Sequence, residues 1–300
     1  MTNRPEIVES DNLSHAWANA FLHVFRGPHG LLKAPLLVSV TGFEQNAPIE
    51  DETLRSVVDD SLLRIDQSRQ GERRRKGRKS RNSRIILSVR ACAETIFPTT
   101  LWSPERRRTA NEVFDRYLNQ YLPRLRRLDS RNRRGTYFQR MIAYTGVKVA
   151  NGNLVPHTIN QLAEILRWWE RDTSAGRSTR HSALQVACFD PPKDSTGAAL
   201  QAFPCLQQVS FDYDRSDNTL TVNGYYPAQF VFDRGYGNYL GLCRLGAFMA
   251  CSMGLTLSRM NCFVAYPELG SVTKTEVQIL ADAAESALRT KRPTHLAVVS

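Results

Sequence analysis

The sequence predicts a mixed α/β (α+β) protein, and three observations support that prediction. The composition is globular, with 42% hydrophobic and 23% charged residues in a chain of 300, which excludes a disordered, collagen-like or coiled-coil protein. Apolar residues recur at helical spacing in several segments, the first at 13–26. The last third contains short segments that alternate or run apolar, as strands do, and then a long apolar helical segment.

The first elements expected along the chain are a helix, a strand and a second helix. The spacing at 13–26 is that of an amphipathic helix, which Gly27-Pro28 ends. The apolar, β-branched segment 35–43 predicts a strand, and 51–65, with Asp and Glu in its first turn, predicts a helix. Residues 67–83 contain no apolar side chain, so a solvated basic loop is predicted over 67–84.

The remaining elements follow from the same patterns. The expected strands are 85–89, 182–189, 207–214 and 219–225. The expected helices are 111–128, 158–171, 237–251 and 275–291. Pro123 should kink or end the first of these helices, and Thr158 should cap the second. Ser216-Asp217-Asn218 suits a hairpin turn between two of the strands. No linker divides the chain, so residues 1–300 are expected to form one domain.

Composition also bounds the compartment and the classes of site. No apolar run approaches the roughly 18 residues that cross a bilayer, and Met1 to Asn12 is polar and acidic rather than signal-like. The six cysteines include no C-x-x-C pair, and the histidines show no metal-ligand spacing. The sequence therefore predicts a cytoplasmic protein without disulfides, a metal site or a membrane partner.

The net charge of +11 is concentrated in two blocks. Residues 69–90 contain ten Lys and Arg against one acid, and residues 105–134 contain ten Arg against four acids. Concentrated blocks of this kind indicate sites for phosphate groups or nucleic acid, although a merely solvated face is the alternative.

One segment combines a cysteine with a polar residue at the start of a buried helix. Cys205 follows Phe203-Pro204 and precedes a predicted strand, and Asn238 opens the apolar segment 237–251. The thiol is a candidate nucleophile, with a buried structural thiol as the alternative. Asn238 is a candidate ligand-binding amide or an ordinary helix N-cap.

In this order of elements the chain resembles the thymidylate synthase and pyrimidine-nucleotide hydroxymethylase family over residues 85–270. That family has a cysteine before a strand and hairpin, then an asparagine that opens the core helix, as Cys205 and Asn238 do. Tyr137, in Gly135-Thr136-Tyr137, falls where the family has an active-site tyrosine, and Glu94 falls where it has a proton-relay glutamate. The resemblance implies a three-layer fold with a large mixed, mostly antiparallel sheet, and a homodimer formed through the back of that sheet.

The resemblance also implies covalent catalysis on a pyrimidine nucleotide. Cys205 would add to C6, which makes C5 nucleophilic toward the one-carbon unit of methylenetetrahydrofolate. Asn238 would bind the edge of the base, and Glu94 and Tyr137 would serve proton transfer at C5. Arg180 lies near the family's arginine pair, which reaches across the dimer to the partner's nucleotide phosphate.

Several positions depart from the family. Pro227 and Phe230 stand where the family has a phosphate-binding arginine and a folate-contacting aspartate. Arginines of the basic loop, including Arg74 and Arg75, are therefore candidate replacements for the lost phosphate ligand. The departures leave two hypotheses: an enzyme that transfers a one-carbon unit to C5 through Cys205, and a catalytically inactive relative that binds nucleotide or nucleic acid through Arg-rich loops.

Overall fold

The computed structural model describes residues 4–75, 86–103, 108–128, 135–195 and 204–290. The strands are β1 (Glu6–Ser10), β2 (Leu36–Val40), β3 (Phe43–Glu44), β4 (Ala47–Pro48), β5 (Tyr144–Ala150), β6 (Asn153–Ile159), β7 (Gln185–Ala187), β8 (Gln208–Asp214), β9 (Thr219–Tyr226), β10 (Gln229–Phe230), β11 (Thr256–Val264) and β12 (Pro267–Glu268). The helices are α1 (Leu13–Arg26), α2 (Glu52–Arg75), α3 (Val89–Ala93), α4 (Ala110–Arg116), α5 (Leu122–Leu128), α6 (Tyr137–Ile142), α7 (Gln161–Ser174), α8 (Pro191–Asp194), α9 (Tyr236–Met253) and α10 (Gln278–Thr290).

The described part of the chain is built on a mixed six-stranded sheet. The strand order is β1-β2-β11-β9-β8-β7, in which β1 and β2 are parallel, β11 and β9 are parallel, and the other neighbours are antiparallel. The β8–β9 hairpin pairs Asp214 with Thr219, as the turn residues between them predict. The predicted α+β class with a large mixed, mostly antiparallel sheet is confirmed.

Helices cover one face of this sheet in two tiers. Alternate residues of β11, among them Met260 and Cys262, are buried against α9. The helix α1 packs beside α9, and its Trp17 indole donates a 3.0 Å hydrogen bond to the Val231 carbonyl. The outer tier consists of α3 on α9, α10 on α1, and α2 on α10. Buried between the sheet and α3, α9 is apolar around most of its circumference, which is why the sequence shows it as a continuous apolar run.

The opposite face of the sheet presents apolar side chains to solvent. Tyr225 and Phe263 are each 37% exposed, and their rings stack with centroids 5.8 Å apart. Ile7, on the edge strand β1, is 67% exposed. Polar pairs flank these groups, including Asn261 to Asn223 at 2.9 Å. We call this surface, lined by Ile7, Asn223, Tyr225, Asn261 and Phe263, the open sheet face.

The loop predicted at 67–84 is wrong over its first part, because α2 continues to Arg75. Glutamine, glutamate and arginine are good helix formers, so a polar stretch can continue a helix that apolar residues began. Side-chain contacts also hold this extension: Arg69 donates to the Ser271 hydroxyl at 2.8 Å, and Gln70 donates to Asp66 at 2.6 Å. Residues 76–84 lie outside the described part of the chain.

Three other boundaries differ from expectation. Of the strand expected at 85–89, the described residues 86–89 instead lead into α3, whose N-cap is Ser88. Thr158 belongs to β6, and Asn160 caps α7 in its place. The helix expected at 111–128 is not ended by Pro123; a π-helical turn before it lets α4 and α5 follow one another. None of the described helices has a stretch long and apolar enough to cross a bilayer.

Candidate active site

Cys205 lies at the end of the sheet, directly before β8. The flanking Pro204 and Leu206 are buried, whereas Cys205 is exposed. Backbone hydrogen bonds fix this turn, because Gln207 N–H donates to the Tyr225 carbonyl at 3.0 Å and the Gln207 carbonyl accepts from Cys188 N–H at 2.8 Å. The thiol therefore sits on a segment anchored between β7 and β9.

The Tyr137 phenol contacts the segment that carries this thiol, through the Leu206 backbone N–H. Tyr137 is the first residue of α6, and the Thr136 hydroxyl caps that helix by accepting from Gln139 N–H at 3.1 Å. Burial raises the pKa of Tyr137, and so does the neighbouring Cys205 thiol, while the Leu206 backbone N–H that hydrogen-bonds the phenol oxygen opposes the rise. The phenol is accordingly a neutral hydrogen-bonding group next to Cys205 near neutral pH.

Asn238 reaches the same cluster through Cys92. Asn238 is 4% exposed in the first turn of α9, and its Oδ1 lies 3.5 Å from the Cys92 Sγ. The Cys205 thiol is in turn one of the groups that raise the pKa of Cys92, after burial. A Cβ on Gly237 would lie 2.4 Å from the Cys92 Cβ, so glycine lets α3 approach α9 closely enough for this contact.

The alternative that Asn238 serves as the helix N-cap is wrong. The helix begins at Tyr236 with Gly235 as its cap residue, so Asn238 is inside the first turn. Its amide is therefore directed at the thiol cluster instead of completing the helix end.

Arg234 supplies a cation that the sequence analysis did not select. It belongs to a π-helical turn, Val231–Gly235, that precedes α9. Burial raises the pKa of Cys92, and the Arg234 guanidinium, which hydrogen-bonds the thiol, opposes that rise. An isolated arginine just before a long apolar run was the available signal in the sequence.

Tyr226, also not selected, completes the cluster from β9. Its side chain is fully buried. Burial raises its pKa, and nearby Cys262 and Tyr137 raise it further. We call Cys92, Cys205, Tyr137, Tyr226 and Asn238 the thiol cluster.

Glu94 faces a different set of groups. Its carboxylate accepts from the Thr99 hydroxyl at 2.5 Å and from the Tyr121 hydroxyl at 3.1 Å, and it lies 3.8 Å from the Arg244 guanidinium. It is not among the groups that most affect the pKa of Tyr137, Cys92 or Tyr226. The structure therefore places Glu94 in a polar network beside α9 instead of in the thiol cluster.

Arg180 is exposed and lies away from Cys205 within the chain. It precedes β7, whereas the far end of that strand, Ala187, pairs with Gln208 near Cys205. A surface cavity of about 520 Å³ contains Arg180 together with two further arginines, an acid and an indole: Arg171, Arg177, Asp172 and Trp168. Arg74 and Arg75 end α2, and their side chains lie outside the described part of the structure.

Comparison with known proteins adds no assignment: no known family model matches the chain, and no curated protein matches it. Among the described residues, no group of His, Cys, Asp and Glu side chains is arranged to hold a metal ion. The site is therefore interpreted from the thiol cluster and its neighbours.

Proposed function

We propose that the chain activates C5 of a pyrimidine nucleotide for one-carbon transfer, with Cys205 as the nucleophile. The observation that supports this is the convergence of Cys205, Tyr137 and Asn238, which are far apart in sequence, into one cluster. The Cys205 thiolate forms a bond to C6, and the electron pair of the C5–C6 double bond moves to C5. The C5 carbanion takes up a proton from water, and loss of the original C5 proton to a base with expulsion of the thiolate then restores the double bond, so the hydrogen at C5 is exchanged.

The surrounding groups suit a neutral ring more than a charged ligand. Asn238 carries an amide that can both donate to and accept from the edge of a base. Tyr137 would order a proton acceptor near C5, while Arg234 supplies positive charge beside Cys92, where it partly opposes the rise that burial causes in the pKa of that thiol. Glu94 has no part in this proposal, because its carboxylate is engaged by Thr99 and Tyr121.

The donor that the family resemblance implies, methylenetetrahydrofolate, does not fit the residues present. Phe230 offers a ring at the position where the family has a folate-contacting carboxylate. The nearby Asp233 is 5% exposed; its Oδ2 accepts from the Ser271 hydroxyl at 2.7 Å, and its Oδ1 is buried without a hydrogen-bond partner among the described residues. We therefore propose the activation of C5 alone and no step that uses folate.

The test is release of tritium from C5 of pyrimidine nucleoside monophosphates into water. Reversible addition of Cys205 to C6 allows C5 to exchange its hydrogen, so we expect release by the wild type and none by Cys205→Ser. The control is Cys251→Ser, which changes another exposed thiol, one that accepts a hydrogen bond from Asn46 at 3.3 Å. Binding without exchange, unchanged in Cys205→Ser, would contradict the proposal.

We propose further that two copies pair through the open sheet face. The stacked Tyr225 and Phe263 rings and the exposed Ile7 form an apolar patch of the kind that marks an interface. Each copy would then present Arg180 to the nucleotide phosphate of its partner. Light scattering at micromolar concentration should give about twice the 34.0 kDa chain mass, and Phe263→Asp should give the monomer; a monomeric wild type would contradict the pairing.

A second candidate function is phosphate binding without catalysis, to nucleotide or nucleic acid. The cavity supports it, because Arg171, Arg177 and Arg180 line a space of about 520 Å³ together with Trp168, and the single acid there, Asp172, pairs with only the first two of these arginines. Arginine and an indole together favour a phosphate with a stacked base. This candidate predicts binding that survives Cys205→Ser and that weakens when Arg177 is replaced.

A further inference from the structure

The Tyr226 hydroxyl is buried and has no hydrogen-bond partner among the described residues. It differs in this from the other tyrosines of the described part that are buried or half-buried. Their hydroxyls are engaged by Thr136 (Tyr117), Glu94 (Tyr121), the Leu206 N–H (Tyr137), the Phe189 carbonyl (Tyr144), the Thr179 carbonyl (Tyr213), Ser14 and Glu50 (Tyr236) and Gln229 (Tyr239).

The strand register directs this phenol into the thiol cluster. Tyr226 is the last residue of β9, on the face that buries Leu220 and Val222, whereas its neighbour Tyr225 lies on the open sheet face. The groups that influence its pKa, besides burial, are Cys262, Tyr137, Cys92 and Cys205. Thiols and a second phenol therefore lie near enough to influence the Tyr226 hydroxyl, at the end of the sheet where Cys205 lies.

A buried hydroxyl without a partner is unfavourable in the free protein, and a phenylalanine ring would fill the same space without that cost. A donor of this kind is favourable when a ligand supplies the acceptor. The groups of the thiol cluster around the Tyr226 hydroxyl are neutral. The arginines that suit phosphate lie elsewhere or at the margin of the cluster, so the acceptor belongs to the base of a nucleotide and not to its phosphate.

We propose that Tyr226 is a further substrate-binding residue, whose hydroxyl donates a hydrogen bond to a ring carbonyl of the pyrimidine held at Cys205. This inference rests on the proposed function and extends it, because it assigns a specific donor to the base. Being neutral near neutral pH, the phenol contributes a hydrogen bond and no charge.

The test compares Tyr226→Phe with the matched control Tyr239→Phe. The control removes a hydroxyl that is used, since Tyr239 donates to Gln229 Oε1 at 2.9 Å in an equally buried position. Unfolding by urea is measured without ligand, and the Kd for deoxyuridine monophosphate and deoxycytidine monophosphate is measured by calorimetry. We expect Tyr226→Phe to keep or raise the midpoint of unfolding and to weaken the better-bound nucleotide about ten-fold. Tyr239→Phe should lower the midpoint and leave the Kd unchanged.

Three outcomes would overturn the inference, and they separate it from the proposed function. If Tyr226→Phe lowers the midpoint as much as Tyr239→Phe or fails to fold, the hydroxyl is structural. If the wild type binds a nucleotide and Tyr226→Phe binds it equally well, Tyr226 is not a substrate contact, while C5 activation stands. If the wild type binds neither nucleotide, the proposed function fails and this inference fails with it.

Discussion

Replacing Asp194 by Asn should destabilise the protein strongly, because it breaks a buried ion pair. The Asp194 and Arg140 side chains are 4% and 10% exposed, and the guanidinium donates to both carboxylate oxygens, at 2.6 and 2.8 Å. Asp190 N–H donates to the same carboxylate at 2.9 Å. An asparagine in this place would turn an NH₂ group toward one of these donors and remove the carboxylate charge that pairs with the buried Arg140.

Loss of one partner from a buried pair costs about 3–5 kcal/mol. At about 2–4 °C per kcal/mol for chains of this size or somewhat smaller, the Tm should fall by roughly 6–20 °C. The same arginine donates to the Cys188 carbonyl at 2.9 Å, so the change should also loosen the segment that pairs with the Cys205 turn. The free energy of unfolding from urea titrations, followed by circular dichroism, measures the effect.

The stabilisation that Asp194 provides should depend on pH in one direction, which follows from its pKa. Burial alone would raise the pKa of Asp194, but the hydrogen bonds from Arg140 and from Asp190 N–H outweigh burial and lower it. A carboxyl whose pKa is lowered in the folded state stabilises the fold above its unfolded pKa of about 4, and this contribution disappears as the pH falls through the folded value. The difference between wild type and Asp194→Asn should therefore be full at pH 7 and shrink below about pH 4.

The control is Glu285→Gln, the same acid-to-amide change in an exposed pair. Arg26 and Glu285 are 2.9 Å apart, with side chains 60% and 37% exposed, and such pairs contribute at most about 1 kcal/mol. An Asp194→Asn cost no larger than that of the control, or one that does not change between pH 7 and pH 3, would refute the reasoning.

Three further predictions address two glycines in or beside helices and the class of ligand. Gly237→Ala should lower the free energy of unfolding by about 3 kcal/mol or more and abolish C5 exchange, because the added Cβ meets Cys92 and the Val89 carbonyl. Gly71→Ala should instead stabilise α2 by about 0.5–1 kcal/mol, because nothing lies within 4 Å of the added Cβ. Denaturant midpoints check both, and a Gly71→Ala variant that is destabilised would contradict the helical assignment there. Affinity for a pyrimidine monophosphate should depend weakly on salt, whereas a log–log slope steeper than about −4 with DNA or RNA, reduced when Arg177 and Arg180 become Gln, would favour nucleic-acid binding.

Much of the fold could be predicted from periodicity, and the misses have physical causes. The α1 stripe, the β8–β9 hairpin and the long apolar α9 were visible because each buries one face or all of its surface. The β5–β6 hairpin was missed because its strands are mostly exposed and carry no clear alternation. The end of α2 was missed because helix-forming polar residues resemble a charged loop when no apolar position marks the period.

The candidate site could be predicted only in part. Cys205, Tyr137 and Asn238 were found from their order along the chain, and the structure brings them together. The sequence analysis selected Glu94, whereas Cys92, which lies about 200° away around α3 and its C-terminal cap, is the residue that faces Asn238. Arg234 lies in a π-helical turn and Tyr226 at the end of a strand, and neither feature has a sequence signature that would have identified these residues.

The most direct test of the central claim is a crystal structure with a bound pyrimidine nucleoside monophosphate. The account predicts the base in the thiol cluster, with the Cys205 Sγ about 3–3.5 Å from C6 or bonded to it, and with the Asn238 amide paired to the edge of the base. A nucleotide bound instead at Arg171, Arg177 and Arg180, with the thiol cluster closed over its own side chains, would contradict it.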